Sequence, residues 1–98
     1  MPYRPSEYSR VACLNTLGPG NPRVVIRSLG AQVYINVAGA DWTSRRLRAA
    51  VPELRGWHIC LAKAYRKALT LTYPDARAAK VGVLRVRKVI KTRLEQEA

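Results

Sequence analysis

The N-terminal part of the chain alternates apolar and polar residues in the manner of β-strands. In the segment 32–38, apolar residues occupy every second position: Val33, Ile35 and Val37. A period of two places them on one face of a strand. Less regular runs cover 10–15 and 23–28, and the Leu29-Gly30-Ala31 link before the third run is short enough for a hairpin. The pattern predicts a small three-stranded antiparallel sheet over about 10–38.

After Gly39 the pattern changes to one typical of helices, because Ala, Leu, Arg and Lys are good helix formers. We predict three helices, at about 41–51, 53–73 and 75–95. The third has the most regular stripe, with apolar residues at steps of four, three, four and four: Ala79, Val83, Val86, Ile90 and Leu94. The β-branched run 81–90 also fits a strand, but its periodicity favours a helix.

The acidic residues support these helix boundaries. Between residues 41 and 94 they are Asp41, Glu53 and Asp75, each at a predicted helix start. A carboxylate there complements the helix dipole and accepts from free N–H groups, and either Asp41 or Thr43 is suited to cap the first helix. The prediction is an α+β protein, with a flexible N-terminal arm over 1–9 and a single domain over 10–98.

The apolar segments are too short for a transmembrane helix, and the N-terminus lacks the apolar core of a signal peptide. The two cysteines, Cys13 and Cys60, lie far apart without the spacing of a disulfide framework or a zinc site. We therefore expect a cytoplasmic protein, from a bacterial or phage-infected cell, that holds no metal or other cofactor and binds no membrane.

Charge is the most informative property of the composition. The 98 residues include 18 Lys and Arg against 6 Asp and Glu, for a formal net charge of +12. The region 41–94 holds fourteen basic and three acidic residues, a net +11. A solvated helix face normally mixes both signs, so this excess favours a surface for an anionic partner.

The basic residues of the predicted helices form the first candidate binding surface, for nucleic acid or for an acidic protein. Its members are Arg45, Arg46, Arg48, Lys63, Arg66, Lys67, Arg77, Lys80, Lys88 and Lys91. Val81 and Leu84 fall on the same face of the third helix. They either pack under another element or form an apolar contact, which suits a protein partner or a homodimer.

The polar face of the predicted sheet is the second candidate surface. Arg, Gln and Asn hydrogen-bond to base edges and Tyr stacks on bases. The residues of this face are Arg23, Arg27, Gln32, Tyr34 and Asn36. An ordinary half-exposed antiparallel sheet has the same pattern.

The sequence contains few residues in the combinations that catalysis requires. His58 is the chain's single histidine and has no carboxylate or cysteine at a suitable spacing on the predicted helix. We therefore predict no catalytic residues and a non-enzymatic protein.

The first functional hypothesis is a small nucleic-acid-binding protein that neutralises phosphates, of DNA or RNA, with its Lys/Arg helical surface. The alternative is an inhibitor or adaptor that binds a protein or nucleoprotein. In its small size and lack of catalytic motifs, the chain resembles phage-encoded anti-CRISPR and host-takeover proteins, and that resemblance implies binding through the same basic surface.

Overall fold

The computed structural model describes residues 11–14, 22–39, 41–61 and 67–97. In chain order, the elements in these ranges are β1 (Val11–Leu14), β2 (Arg23–Leu29), β3 (Gln32–Ala38), α1 (Ser44–Ala50), a 3₁₀ turn (Pro52–Leu54), β4 (His58–Leu61), β5 (Lys67–Thr72) and α2 (Ala76–Glu97). The protein is therefore α+β. The predicted arm, 1–9, lies outside the described residues.

The strands within the described ranges form one antiparallel sheet in the order β1-β2-β3-β5-β4. A two-residue turn joins β2 to β3, and Gly30 occupies it with a φ of +58°, a conformation that glycine adopts without steric cost. The three predicted N-terminal strands and their antiparallel pairing are confirmed, but the predicted size of the sheet is wrong, because β5 and β4 extend it beyond three strands. The register places Ile26 opposite Ile35 and Ile35 opposite Leu69, so these apolar side chains share one face.

Both described helices cover that apolar face. α2 packs across β1, β2 and β3, and α1 packs on β3 and β5. The predicted stripe of α2 is fully confirmed, since all five of its residues are buried. Trp42 and Trp57 are also buried in this core.

The predicted second helix, 53–73, is wrong. Only the 3₁₀ turn at its start is helical among its described residues; His58–Leu61 and Lys67–Thr72 are strands that pair with each other. β5 also pairs with β3, which supplies hydrogen-bond partners to an otherwise open strand edge. This tertiary pairing outweighs the helix propensity of Ala, Leu and Lys, which is a preference of well under 1 kcal/mol per residue.

Of the three acidic residues expected at helix starts, Asp75 caps its helix, whereas Asp41 and Glu53 do not. Asp75 lies just before α2, and the Ala78 N–H donates to its Oδ1 at 2.8 Å. The cap of α1 is Thr43, whose Oγ1 accepts from the Arg46 N–H at 3.0 Å; Asp41 lies further upstream with a φ of +62°. Glu53 lies in the 3₁₀ turn and reaches across to Arg93 instead of starting a long helix.

Neither helix in the part of the chain that the structure describes is long and apolar enough to cross a bilayer.

Candidate nucleic-acid interface

The second face of the sheet lies opposite α1 and α2. All five residues of the predicted sheet surface belong to it, because their positions alternate with the buried Val24, Ile26, Val33 and Ile35. The residues are Arg23, Arg27, Gln32, Tyr34 and Asn36. No described helix packs on this face, and we call it the open sheet face.

β5 and β4 extend the open sheet face beyond the predicted three strands. The register forms a row that crosses the sheet, with Arg27 opposite Tyr34, Tyr34 opposite Thr70, and Thr70 opposite His58. His58 is exposed, whereas the short Thr70 is buried between its neighbours. The sequence prediction missed His58 and Thr70 as surface residues because it assigned both to a helix.

Hydrogen bonds and a cation–π contact hold three side chains of this row, those of Arg27, Tyr34 and Thr70. The Tyr34 hydroxyl donates to Oε1 of Gln32, two residues earlier on the same strand. The Arg27 guanidinium lies over the Tyr34 ring, 5.9 Å from its centroid, within cation–π range. Thr70 Oγ1 and Cys60 Sγ are 2.8 Å apart and share a hydrogen bond.

A groove of about 940 Å³ lies where the open sheet face meets α1 and β5. Its described lining includes cations from three separate elements: Arg23 of β2, Arg45 of α1 and Lys67 of β5. Asn36 also lines the groove and donates through Nδ2 to the Lys67 carbonyl at 3.5 Å. The structure thus brings together residues from both predicted surfaces.

A second depression, of about 520 Å³, adjoins this groove through Arg45. Arg48 and Arg55 line it together with Ala49 and Pro52. We call the continuous set of cations Arg23, Lys67, Arg45, Arg48 and Arg55 the basic track. Arg55 was absent from the predicted site, although its charge was visible in the sequence, because its place beside Arg45 depends on the turn after the 3₁₀ segment.

Two of the predicted α1 arginines also hold the local structure. The Arg46 guanidinium lies 4.1 Å from the centroid of the Trp42 ring and donates to the Asp41 carbonyl at 3.2 Å. The Arg48 guanidinium donates to the Trp57 carbonyl at 3.0 Å, which ties α1 to the segment before β4. Arg45 is exposed and is the α1 cation that lines both depressions.

The predicted α2 cations lie on a different side of the molecule. Arg77, Lys88 and Lys91 are exposed and Lys80 is partly exposed, on a helix whose opposite face packs on the sheet. Val81 and Leu84 lie among them with 53% and 49% of their surface exposed. We call this set the α2 strip. Of the two alternatives that the sequence left for Val81 and Leu84, packing under another element does not occur among the described residues.

The remaining predicted basic residues, Lys63 and Arg66, lie outside the described residues.

Glu53 forms an ion pair with an arginine of α2. It forms a salt bridge with Arg93, whose Nε lies 3.0 Å from Oε2. A backbone hydrogen bond and the Arg93 guanidinium both lower the pKa of Glu53 from its ordinary value. This carboxylate therefore joins the 3₁₀ turn to α2 and lies outside the lining of both depressions.

Within the described residues, no group of three or more His, Cys, Asp or Glu side chains is arranged to hold a metal ion. Comparison with protein-family models, curated proteins and solved structures finds no match to this chain.

Proposed function

We propose that this chain is a small, non-enzymatic nucleic-acid-binding protein. The observation that supports the proposal most directly is the basic track, in which cations from β2, β5, α1 and the turn after the 3₁₀ segment converge on two adjoining depressions. A row of cations along a groove fits successive phosphates, and neutralising them releases condensed counterions.

The location of the track supports nucleic acid over a general solubility role. Asn36 and Arg23 belong to both the groove and the open sheet face, so a backbone bound in the groove has base-contacting side chains beside it. Phosphate contacts position a nucleic acid and base contacts discriminate among sequences. The proposal therefore differs from the sequence hypothesis in its site, which it assigns to the sheet and α1 and not to the helical surface as a whole.

Fluorescence anisotropy with labelled DNA and RNA, measured from about 50 to 200 mM salt, tests this proposal. We expect the logarithm of affinity to fall linearly with the logarithm of salt. The triple variant Arg23→Ala, Arg45→Ala, Lys67→Ala should reduce the magnitude of that slope by about two to three, because each lost phosphate contact contributes about 0.7 to 0.9.

The matched control is Arg77→Ala, Lys88→Ala, Lys91→Ala on the α2 strip, which removes the same three charges from the other side of the molecule. It should change the slope by less than one. Equal effects of the two triple variants would refute the basic track as the site. Absence of binding to DNA and RNA at about 50 mM salt would refute the function itself.

A protein partner is the second candidate function, and the α2 strip favours it. Val81 and Leu84 expose apolar surface with Arg77, Arg85 and Lys88 around them. A partner segment that presents apolar side chains with acidic residues on either side complements such a patch. Pairing with a second copy of the α2 strip would instead bring like charges together.

Purification from the host, with and without nuclease, distinguishes the two functions. A stoichiometric acidic protein that persists after nuclease treatment and is lost in Val81→Asp, Leu84→Asp supports the second function. A nucleic acid that co-purifies with both the wild type and this variant supports the first.

A further inference from the structure

We propose that the open sheet face binds unpaired nucleobases in a slot between Tyr34 and His58, and that the protein therefore prefers single-stranded nucleic acid to duplex. This inference rests on the proposed function and specifies its ligand.

The sheet register defines the slot. Tyr34 on β3 and His58 on β4 flank Thr70 on β5, and the three residues lie in one row across the same face. Two strand spacings separate the flanking residues at the backbone, which is about 9.6 Å. A base stacked between two rings requires about 7 Å between their planes, twice the usual separation of atoms in van der Waals contact. In the proposed slot, the Tyr34 and His58 side chains approach each other above the short Thr70 and enclose one base.

The chemistry of the slot suits a base. Thr70 forms a polar floor whose Oγ1 is hydrogen-bonded to Cys60 Sγ. Tyr34 is positioned by its hydrogen bond to Gln32 and by the Arg27 guanidinium on the side away from Thr70. Its β5 side therefore faces the slot. An arginine next to a stacking ring also contributes cation–π attraction to a bound base.

The width of the sheet argues against duplex as the ligand of this face. Five strands in the described sheet span four spacings, about 19 Å between the outer backbones. The major groove of B-DNA is about 12 Å wide and admits a helix or a two-stranded ribbon. A base of a duplex therefore cannot reach the centre of this sheet, whereas a splayed single strand can.

The basic track lies at the end of the same face and gives the strand a path. Asn36 and Arg23 are shared by the open sheet face and the groove. A single strand with its backbone along Arg23, Lys67 and Arg45 places its bases toward the row that contains Tyr34. Phosphate contact and base stacking thus come from adjoining parts of one surface.

Anisotropy with a 12-nucleotide oligonucleotide, single-stranded and as its blunt duplex, at one salt concentration tests the inference. We expect the single strand to bind at least tenfold more tightly. Tyr34→Leu and His58→Leu should each weaken single-strand binding by about 5- to 150-fold, the range for loss of one stacking partner, with the salt slope unchanged. Tyr34→Phe keeps the ring but loses the hydroxyl that donates to Gln32, so its affinity should lie between those of the wild type and Tyr34→Leu.

NMR supplies a readout that a merely structural effect would not reproduce. The sequence contains one histidine, so the ring protons of His58 give an unambiguous signal. A stacked base should shift them upfield on addition of the single strand, and the shift should disappear in Tyr34→Leu.

The outcomes separate this inference from the proposed function. Duplex binding equal to or tighter than single-strand binding, or leucine variants that bind single strands like the wild type, would overturn the slot and leave the function standing. Absence of binding to either form would overturn both.

Discussion

At the scale of single residues, α2 packs closely against Tyr73, the residue that follows β5. Gly82 is buried on α2, and a Cβ at this position would collide with the ring of Tyr73. The same ring meets Trp57 edge-on, with centroids 6.5 Å apart and an angle of 74° between planes. Glycine is therefore required here for close approach, despite its cost of about 1 kcal/mol in a helix interior.

We expect Gly82→Ala to lower the free energy of unfolding by about 1–3 kcal/mol, because overpacking outweighs the gain in helix propensity. Chemical denaturation of the variant and the wild type measures this difference in the free energy of unfolding. Gly56→Ala is the control, since a Cβ at that turn position meets no atom within 4 Å. Its stability should stay within about 0.5 kcal/mol of the wild type, as for surface substitutions. A higher free energy of unfolding for Gly82→Ala than for the wild type would contradict the packing argument.

Partial burial raises the pKa of Tyr73 above its ordinary value of 10.0, although the charge of Arg85 opposes the shift. Because the folded pKa exceeds the unfolded one, the stabilisation is fully present below pH 10 and is lost as pH rises through the folded pKa. Above pH 10 the wild type should lose stability faster than Tyr73→Phe. Parallel denaturation curves of the two proteins at each pH measure the difference, and equal losses would contradict the burial effect.

At the scale of elements, the sequence predicts what depends on local pattern. The period of α2, from Ala79 to Leu94, and the alternation of β3 each identify a buried face without knowledge of the partner. β5 is a strand mainly because it pairs with the edge of β3, and β4 because it pairs with β5, and these tertiary pairings lie outside the local pattern of 53–73. Because Thr70 and His58 belong to these strands, the sequence pattern indicated one of the three residues of the proposed slot, Tyr34.

In the candidate site too, the local pattern identifies individual residues, whereas the tertiary structure determines which of them lie together. Arg23, Arg45 and Lys67 were each predicted, but on two surfaces that seemed separate; their convergence follows from the pairing of β5 with β3 and the position of α1. The alternating strand signal in Thr70-Leu71-Thr72 could have warned against a helix there, since threonine favours strands.

The start of α2 provides a test at this scale. Asp75 accepts from the Ala78 N–H at 2.8 Å, so Asp75→Ala should cost about 0.5–2 kcal/mol of stability. Asp75→Asn retains a capping oxygen and should lose less than half as much. Thermal unfolding of both variants, followed by circular dichroism, gives the comparison. A loss as large in the asparagine variant would assign the effect to charge and not to the cap.

At the scale of the whole molecule, positive charge lies on both sides of a two-layer structure. The basic track lies where the sheet meets α1, and the α2 strip lies on the outside of the helical layer. With a net charge of +12, these cations repel one another across a small domain. Charge of this size thus carries a cost in stability that an anionic ligand relieves.

Raising salt from about 10 to 150 mM shortens the Debye length from about 30 to 8 Å, and we expect the melting temperature to rise. The rise should be smaller in Arg77→Ala, Lys88→Ala, Lys91→Ala, because that variant has less self-repulsion to screen. Differential scanning calorimetry, in a buffer whose ions do not bind the protein, measures the melting temperatures of the wild type and the variant at each salt concentration. A melting temperature that falls with salt would show that attractive pairs, such as Glu53 with Arg93, dominate the electrostatics.

The pairing of β3 with β5 also bears on how the chain assembles. β2–β3 and β4–β5 are pairs of successive strands, whereas the contact of Ile35 with Leu69 closes a loop that contains α1 and β4. Local hairpins close quickly and long loops slowly, so the two pairs are expected to meet late in folding. Tyr34 and Thr70 lie on opposite sides of this seam. A strand of nucleic acid bound across it would therefore hold the two halves of the sheet together, and ligand occupancy would slow their separation.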